Sequence, residues 1–520
     1  MGTYVNPGTE RLKRSKANKY YVDKSMILSV LNEKINTDDN LICVSRPRRF
    51  GKTMAANMIA AYYSKGCDSH EVFSDLKISK DPTFEENINR YTVIKLDING
   101  AATGKGDKTI VQYYNENVVP ELMKAYPDVA LSRDMSIAKS LVSIYESTGD
   151  KFVFIIDEYD LPIRDGKYDK EADEYIAFLV SLFKSEETNY TIALAYLTGI
   201  MPIIREKVQS KLNNFKEYTM ISPKGMAPFM GFTEEEVQSL AQKSGMAFDE
   251  LKRWYDGYNL KGLEIYSPKS VINAIEEGVC DDYWSQTSSY EALKDNILMD
   301  FNGIKSDVIR MVSGESISVN VSKFTNSRVL NSKDDVFTAL IHLGYLGYRY
   351  SEQTCFIPNY ELLKEWINVL EDTPDYEGVA ELIRESKRLL EATWEGDEEA
   401  VAEAVARAHA EACSIQRYNN EGSFQSALHL AYYYAKSCYT IVNELPGGKG
   451  YADVAFIPYK PDVPAIIIEL KKDDTADAAI SQIRERKYPE ALEKYRDNLL
   501  LVAITYDSKT KEHRARIEKA

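Results

Sequence analysis

Four short apolar runs lie in the first two hundred residues, and they are rich in β-branched and aromatic side chains. The first begins at Leu41 and ends at a bend at Pro47, and the others occupy residues 91–98, 152–156 and 190–197. Runs of this length and composition are typical of buried strands. Stretches with helical spacing separate them, so the pattern predicts a parallel α/β sheet.

Helical spacing of apolar residues is clear in three places. Residues 20–31 predict a turn into an amphipathic helix, with Asp23 or Ser25 as its cap. Residues 54–63 are apolar enough for a buried helix, and residues 395–412 form an alanine-rich helix with one apolar face. The alanine-rich face indicates a structural seam.

The pattern divides the chain into five predicted parts, which together make a multidomain α/β protein. Residues 1–230 carry the parallel sheet, 231–300 a small helical lid, 301–375 a winged-helix-like module, 376–412 a helical connector, and 413–520 a second α/β domain. Within the module, residues 330–360 predict a helix followed by a two-stranded hairpin. The aromatic motif from Trp254 to Tyr258 either stacks on a base or packs the lid, and we favour packing.

Phosphate-binding chemistry is indicated where the first strand meets a helix, at Gly51-Lys52-Thr53. In a P-loop, the lysine neutralises the outer phosphates of ATP and the threonine helps to hold Mg²⁺. The full pattern requires glycine at position 46, where this chain has arginine, and Arg48 and Arg49 add a basic rim that can contact phosphate. The simpler alternative is an ordinary strand-to-helix turn.

Two further strand ends carry residues that fit nucleotide hydrolysis. Asp157 follows the third strand and can hold Mg²⁺ through water, while Glu158 can polarise the attacking water. Thr198, at the end of the fourth strand, can sense the terminal phosphate. Taken singly, each is also explained as a turn residue.

A second set of charged residues lies near the C-terminus, between buried isoleucines. Strand alternation places Glu469 and Lys471 on one face, where Asp453 from a neighbouring strand can join them. Two carboxylates and the carbonyl of Leu470 can hold a divalent cation, and Lys471 can then stabilise phosphodiester hydrolysis. The alternative is a solvated polar face.

Composition and charge exclude several classes of protein. The 520 residues have a net charge of −16, which argues against a surface that coats DNA generally. Residues 1–60, however, carry 11 Lys and Arg against 5 Asp and Glu. Six scattered cysteines and five histidines predict reduced thiols and no structural zinc. We expect a soluble, cytoplasmic protein without a membrane partner, since no signal peptide or long apolar run is present.

Several motifs resemble one bacterial family, the AAA-ATPase-like proteins with a C-terminal PD-(D/E)xK nuclease-like domain. The motifs are YYVDKS (20–25), RPRRFGKT (46–53), IIDEYD (155–160), LTGIMPI (197–203), GFTEEEV (231–237), WYDGYNL (254–260), YSPKSV (266–271) and YWSQTS (283–288). The resemblance covers nearly the whole chain. It implies a P-loop AAA-like sheet that binds ATP, and an arginine at position 46 is usual in the family.

The same resemblance assigns roles in the last domain, which is expected to have a restriction-endonuclease-like α/β fold. By position, Asp453 and Glu469 look like metal ligands, Lys471 like the catalytic lysine and Gln482 like the helix glutamine. Glu421 looks like the carboxylate on the preceding helix, a further metal ligand.

The hypothesis that follows is an ATP-binding AAA-like protein fused to a Mg²⁺-dependent nuclease, acting on DNA under nucleotide control. The alternative is a non-enzymatic switch whose nuclease-like domain only binds a partner. Self-assembly is part of the hypothesis, because AAA-like sites often lie at subunit interfaces. Arg205 is then one candidate for an arginine acting across subunits.

Overall fold

The fold is a computed structural model that describes residues 2–203, 212–284, 291–299, 301, 303–324, 330–416, 421–447, 450–486 and 488–520. The chain divides into two compact units. The first unit comprises Met1–Asn296 with Ser318–Glu365, and the second comprises Ile297–Ile317 with Trp366–Ala520. The five domain boundaries drawn from the sequence stay predictions.

A five-stranded parallel sheet forms the centre of the first unit, as the sequence predicted. Its strands are β1 (Leu41–Ser45), β2 (Thr92–Asp97), β3 (Phe152–Asp157), β4 (Ile192–Gly199) and β5 (Lys216–Tyr218), in the order β2-β3-β4-β1-β5. Every residue of β1, β3 and β4 is buried. Near-continuous apolar strands are expected where helices cover both faces of a parallel sheet.

Ten helices accompany this sheet among the described residues before 200, and an apolar core lies on each face. They are α1 (Glu10–Lys16), α2 (Ile27–Asn32), α3 (Lys52–Tyr63), α4 (His70–Phe73), α5 (Phe84–Asn87), α6 (Ile98–Gly104), α7 (Ile110–Ala125), α8 (Ile137–Thr148), α9 (Leu161–Arg164) and α10 (Asp169–Phe183). Local signals set several ends: Thr109 and Gln112 form a capping box on α7, and Gly149 ends α8 with φ of 73°.

One helix start was predicted wrongly. Helix α2 begins at Ile27 with Met26 as its N-cap, so neither Asp23 nor Ser25 caps it. The carboxylate of Asp23 instead accepts the backbone N–H groups of Ser25 (2.8 Å) and Lys77 (2.7 Å). These bonds hold residues 20–25 as a turn, and the helix begins only after it.

The chain continues through small sheets and short helices up to α17. The elements are β6 (Phe232–Thr233), α11 (Glu234–Ser244), α12 (Phe248–Tyr255), β7 (Tyr258–Asn259), β8 (Glu264–Tyr266), α13 (Pro268–Glu277), α14 (Glu291–Ile297), α15 (Ile304–Ser313), β9 (Ile317–Ser318), α16 (Lys333–Leu343), β10 (Gly347–Arg349), β11 (Thr354–Phe356) and α17 (Tyr360–Glu371). The helix α16 with the antiparallel pair β10–β11 confirms the prediction for residues 330–360. Trp254 is buried 4.7 Å from the ring of Tyr360, which fits the packing interpretation of its motif.

The second unit contains a five-stranded mixed sheet between two apolar cores. Its further elements are α18 (Glu377–Glu395), α19 (Glu398–Gln416), α20 (Glu421–Ala431), β12 (Tyr439–Gly447), β13 (Gly450–Pro458), β14 (Ala465–Lys472), α21 (Ala476–Glu485), β15 (Leu499–Tyr506) and β16 (His513–Lys519). The strands lie in chain order, with β14 and β15 parallel and the other pairs antiparallel. Ile466 and Ile468 enter one core and Ile467 the other, as strand alternation requires.

Short 3₁₀ helices complete the described structure, at Lys77–Lys80, Gly166–Tyr168, Asn189–Thr191, Lys224–Phe229, Val321–Lys323, Pro374–Tyr376, Tyr433–Ser437 and Tyr488–Asn498. Five of the described cysteines form no disulfide bond among the described residues: Cys43, Cys67, Cys280, Cys355 and Cys438. Within the described ranges, no helix has both the length and the apolar character needed to cross a bilayer.

Candidate functional site

The phosphate loop, residues 46–53, joins β1 to α3 in the first unit. Gly51 is the N-cap of α3 with φ of 86°, and nothing lies within 4 Å of the place where a Cβ would stand. Arg49 also has a positive φ, of 70°. No side chain caps the first turn of α3, so its N–H groups remain available in the way that suits a bound phosphate.

Lys52 is buried inside the curve of this loop. Its Nζ donates to the carbonyl oxygens of Arg46 (3.1 Å) and Pro47 (2.9 Å) and lies 4.0 Å from Oε1 of Glu158. Burial lowers the pKa of Lys52, and the charge of Glu158 opposes that shift. The ammonium group is thus held where a phosphate on the loop would meet it.

Arg46 explains how the loop begins without the usual glycine. Its side chain is fully buried, and its Nη1 donates to the carbonyls of Ser45 (2.8 Å) and Tyr218 (3.0 Å). Burial lowers the pKa of Arg46 to about 10. Arg46 therefore ties the loop to the end of β5 and does not line the cavity described below.

Arg48 and Arg49 differ from Arg46 because both line that cavity. Arg48 is exposed, whereas Arg49 is half-buried and its Nη1 donates to the carbonyls of Trp284 (3.1 Å) and Tyr283 (3.4 Å). The carboxylate of Glu361 accepts the backbone N–H groups of the same two residues, at 3.0 Å each. The segment 283–284 is thus held from one side by the phosphate loop and from the other by Glu361.

The strand ends bring Asp157 and Thr198 together. The two residues pair directly across β3 and β4, and both are buried. Burial raises the pKa of Asp157, while a hydrogen bond with Thr53 and the charges of Lys95 and Lys52 oppose the shift. One carboxylate oxygen of Asp157, Oδ1, has no hydrogen-bond partner among the described residues. This oxygen and the Thr53 hydroxyl are the kind of ligands that Mg²⁺ prefers.

Glu158 lies between two cations at the edge of a cavity of about 620 Å³. Its Oε1 is 4.0 Å from Lys52 Nζ, and its Oε2 is 3.4 Å from Nη2 of Arg164. The backbone of Glu158 has φ of 55°, a strained value of the kind that concentrates at functional sites. Burial raises the pKa of Glu158 and Lys52 opposes the shift, and a carboxylate in this position can act as a base toward water.

A second cavity, of about 360 Å³, adjoins the phosphate loop and shares Gly51, Met54, Pro268 and Ile272 with the first. Its walls are largely apolar and aromatic, and they come from the segment before α2, from α3 and from the region of β6. Those side chains include Tyr20, Tyr21, Val22, Phe50, Met58, Phe229 and Phe232. This cavity, called the apolar slot below, lies beside the phosphate loop and has the chemistry to hold a nucleotide base.

The second candidate site lies on the sheet of the second unit. The register of β13 with β14 pairs Val454 with Ile468, which sets Asp453 level with Glu469 on the same face. Lys471 follows on that face, and Gln482 reaches it from α21. Oδ2 of Asp453 accepts the backbone N–H of Leu470 at 2.7 Å. The structure therefore brings these four sequence-predicted residues together.

Glu469 is the centre of this group and is 1% exposed. Its Oε1 accepts hydrogen bonds from Lys471 Nζ at 2.9 Å and from the side-chain amide of Gln482. Its Oε2 is buried with no hydrogen-bond partner among the described residues. Burial raises the pKa of Glu469, Asp453 adds to the shift, and the charges of Lys471 and Arg486 oppose it.

Two of the sequence-predicted residues are not placed. The side chain of Glu421 lies outside the described residues, although the backbone of α20 begins there, and Arg205 also lies outside them. Among the residues that are described, no group of three or more His, Cys, Asp or Glu side chains is arranged to hold a metal ion.

Two family models match separate parts of the chain. Residues 10–209 match the model of predicted AAA-ATPases, which spans the phosphate loop, Asp157, Glu158 and Thr198. Residues 419–515 match the model of the PD-(D/E)XK nuclease superfamily, which spans Asp453, Glu469, Lys471 and Gln482. The chain is thus similar to predicted AAA-ATPases in its first part and to the PD-(D/E)XK nuclease superfamily in its last part, and these two regions are called the AAA-ATPase-like domain and the nuclease superfamily domain below.

Two further likenesses are more distant. An uncharacterized protein in the vnfD 5' region of Azotobacter chroococcum mcd 1 is 22% identical over 282 residues, which are 53% of this chain. The chain spans about half of that protein's length, 52%. The ORC2 protein of Aeropyrum pernix, solved as ADPNP-ADP complexes, has a TM-score of 0.27 and 11% identity over 70% of this chain and 94% of its own. A TM-score this low supports no statement about fold or function.

The residues present fit the ligands that such domains use. In the AAA-ATPase-like domain, Lys52, Thr53 and the free first turn of α3 would hold the phosphates of ATP, and Thr53 with Asp157 would hold Mg²⁺. In the nuclease superfamily domain, Asp453, Glu469 and the Leu470 carbonyl form an all-oxygen set, and Glu469 Oε2, which is buried with no hydrogen-bond partner among the described residues, would accept a cation.

Sequence reasoning missed three features of the AAA-ATPase-like domain. It assigned no role to Arg164, it did not predict the apolar cavity, and it did not predict the contact of Arg49 with segment 283–284. Arg164 carried only a weak signal: it lies four residues after Asp160, at a spacing that places both side chains on one face of a helix. The cavity and the Arg49 contact depend on residues more than 150 positions apart.

Proposed function

We propose that this protein binds and hydrolyses ATP, and that its nucleotide state controls a Mg²⁺-dependent nuclease activity on DNA. The observation that carries the proposal is the buried carboxylate of Glu469, with one oxygen unpartnered and the other held by Lys471 and Gln482. A buried charge left half-satisfied is costly, so a cation there is expected to compensate it.

The nuclease chemistry follows from this arrangement. A divalent ion on Asp453, Glu469 and the Leu470 carbonyl would activate water and neutralise charge on the phosphodiester. Gln482 orients Glu469 through Oε1, which leaves Oε2 for the ion. Lys471 remains within reach of the scissile phosphate, where its ammonium group offsets the charge that develops during attack.

The nucleotide chemistry rests on the two adjoining cavities. The phosphates fit the cavity that Lys52, Thr53 and Glu158 line, and the base fits the apolar slot beside Tyr20 and Phe232. The two cavities share Gly51 and Met54 in their linings, so we expect a single nucleotide to reach both. Glu158 then positions the attacking water.

The proposed control by nucleotide is tested with one set of assays. Cleavage of single- and double-stranded DNA, and of RNA, is measured with Mg²⁺ or Mn²⁺, with and without ATP, for the unmodified chain, Lys471→Ala and Lys52→Ala. We expect metal-dependent DNA cleavage that Lys471→Ala abolishes, and an ATP effect that Lys52→Ala removes. Cleavage of RNA alone would contradict the choice of DNA, and an ATP effect that survives Lys52→Ala would contradict the coupling.

The alternative function is a nucleotide-dependent switch whose nuclease-like domain only docks a partner or a nucleic acid. ATP binding without cleavage under any metal condition would support the switch. Self-assembly, which is part of the proposal, is measured by sedimentation with and without ATP.

A further inference from the structure

Arg164 occupies a position in the AAA-ATPase-like domain that the proposed chemistry has not used. It ends the short helix α9, which follows the tip of β3 directly. The side chain is 18% exposed and lines the same cavity as Lys52, Thr53 and Glu158. A mostly buried guanidinium at the wall of a phosphate cavity is a candidate for contact with the ligand.

The contact between Arg164 and Glu158 indicates what the guanidinium is placed to bind. The carboxylate of Glu158 lies between Lys52 Nζ, at 4.0 Å from one oxygen, and Arg164 Nη2, at 3.4 Å from the other. Arginine binds carboxylates and phosphates with the same planar fork of donors. A phosphoryl group held by Lys52 would therefore lie within reach of Arg164, in the place where Glu158 now bridges the two cations.

Arg164 is also held firmly, which a catalytic cation requires. Its Nε lies 3.0 Å from Oδ2 of Asp160, and that oxygen accepts the backbone N–H groups of Ile200 (3.2 Å) and Met201 (2.9 Å). The carboxylate of Asp160 also packs closely against Gly199, since a Cβ at that position would clash with Oδ1 of Asp160. The guanidinium is thus fixed to the end of β4 and approaches the cavity through Nη2.

We propose that Arg164 is a catalytic residue for ATP hydrolysis, an arginine supplied by the same chain that contacts the terminal phosphoryl group. This inference rests on the proposed ATPase function. Glu158 accepts a proton from the water whose oxygen bonds to the terminal phosphorus, and the bond from that phosphorus to the bridging oxygen breaks. The bridging oxygen leaves with ADP, and the products are ADP and inorganic phosphate. Arg164 and Lys52 offset the charge that builds on the phosphoryl oxygens.

The proposal predicts that removing Arg164 weakens binding of ATP more than binding of ADP. Arg164→Ala should weaken binding of a non-hydrolysable ATP analogue by about 10-fold or more, because charge-assisted bonds to phosphate are lost. Binding of ADP should change less than about 3-fold, since ADP lacks the phosphoryl group in question. Turnover should fall by about 10³-fold, the usual effect of losing such an arginine. Arg164→Lys should recover part of the analogue affinity and little of the turnover.

Titration calorimetry and a phosphate-release assay on the full chain supply these numbers, with exposed Arg133→Ala as the matched control. Turnover of Arg164→Ala within about 3-fold of the unmodified chain would overturn the proposal. So would an equal loss of ADP and analogue affinity, which is the result of a purely structural role.

A mixing experiment separates an arginine of the same chain from one acting across subunits. Arg164→Ala retains Lys52, and Lys52→Ala retains Arg164, so an arginine acting across subunits would let the mixture recover activity. We expect no recovery. If the unmodified chain binds the analogue but does not hydrolyse ATP, the ratio of analogue affinity to ADP affinity still tests whether Arg164 contacts the terminal phosphoryl group. If the unmodified chain binds no ATP, both the proposed function and this inference are wrong.

Discussion

The two candidate sites bury carboxylates in opposite electrostatic settings. At the phosphate loop, Glu158 lies between the cations of Lys52 and Arg164, and Arg48 and Arg49 line the same cavity. On the sheet of the second unit, Glu469 shares its face with another acid, Asp453; its Oε1 accepts from Lys471 and Gln482, and no described residue hydrogen-bonds its Oε2. Cations outnumber carboxylates in the lining of the first site, whereas two carboxylates face one lysine in the second.

This difference indicates which kind of ligand each site would bind. Burial raises the pKa of Glu158 and of Glu469 alike, so desolvation alone does not tell the two apart. The surrounding charge does: surplus cations fit a polyphosphate, and an unpartnered carboxylate oxygen fits a divalent metal ion. The same substitution, glutamate to glutamine, should therefore have opposite effects on binding at the two sites.

The largest effect is expected for Glu469→Gln. The amide keeps the size of the side chain but removes the charge, so we expect Mn²⁺ affinity to fall and DNA cleavage to drop by about 10³-fold or more. Titration calorimetry with Mn²⁺ and a plasmid-nicking assay measure the two quantities. The exposed Glu493→Gln in the same unit is the control. Undiminished Mn²⁺ affinity in Glu469→Gln would show that the acid is not a ligand.

Glu158→Gln should weaken catalysis but strengthen binding. Removing the carboxylate frees Lys52 and Arg164 for phosphate, so ATP affinity should rise by about 3-fold to 10-fold. Hydrolysis should fall by about 10²-fold, because the amide is a poor base for water. Nucleotide titration and phosphate release test both, beside the exposed Glu235→Gln. Weaker ATP binding in Glu158→Gln would contradict the idea of surplus cations at this site.

Much of both sites could be predicted because the decisive signals are local. Apolar runs that end in polar or charged residues locate Asp157, Glu158 and Thr198 at strand ends, and parallel pairing then brings Asp157 and Thr198 level. Alternation along one strand locates Glu469 and Lys471 on one face. The end of an apolar run is sufficient to locate the first group, and the two-residue period of a strand is sufficient to locate the second.

The features that could not be predicted depend on contacts between distant parts of the chain. Arg46 and Arg49 are three residues apart and look alike, yet one is tied to the carbonyl of Tyr218 and the other to the carbonyls of 283–284. The apolar cavity joins residues near position 20 to others near 230 and 270. The sequence pattern does not show these contacts, because they are set by how the elements pack.

A glycine substitution tests whether the phosphate loop depends on its packing in the first unit. Gly344 ends α16 with φ of 89°, and a Cβ there would lie 2.7 Å from Cγ of Pro47. Gly245 ends α11 with a similar φ of 78° but has nothing within 4 Å. Gly245→Ala should cost about 1 kcal/mol for backbone strain alone, whereas Gly344→Ala should cost about 3 kcal/mol.

Calorimetric melting of the two alanine variants gives the comparison, and ATP titration shows whether the loop is displaced. We expect weaker ATP binding for Gly344→Ala and unchanged binding for Gly245→Ala. Equal melting temperatures would mean that Pro47 moves aside without cost, and the loop would then be independent of α16.

The smallest effect concerns Glu361, which holds segment 283–284 against Arg49. Burial above all raises the pKa of Glu361 to about 8, while hydrogen bonds from Ser270 and from the backbone of Tyr283 oppose the shift. The folded state therefore binds the proton more tightly than the unfolded chain. The stability that protonated Glu361 contributes to the folded state is fully present below the ordinary glutamate pKa of about 4.3 and is lost as pH rises through about 8.

Glu361→Gln should flatten this dependence, because the amide oxygen still accepts the two N–H groups and carries no charge. Urea unfolding followed by tryptophan fluorescence should give similar stabilities for both proteins at pH 5.5, and an advantage of about 1–3 kcal/mol for Glu361→Gln at pH 8.5. Glu365, whose pKa burial raises to about 7, titrates in the same window, so the flattening is partial. Glu361→Ala should be less stable at both pH values, since two buried N–H groups lose their acceptor. If Glu361→Gln and the unmodified chain instead lost the same stability between these pH values, Glu361 would already be ionised in the folded state. It would then accept the N–H groups of segment 283–284 as a charged carboxylate.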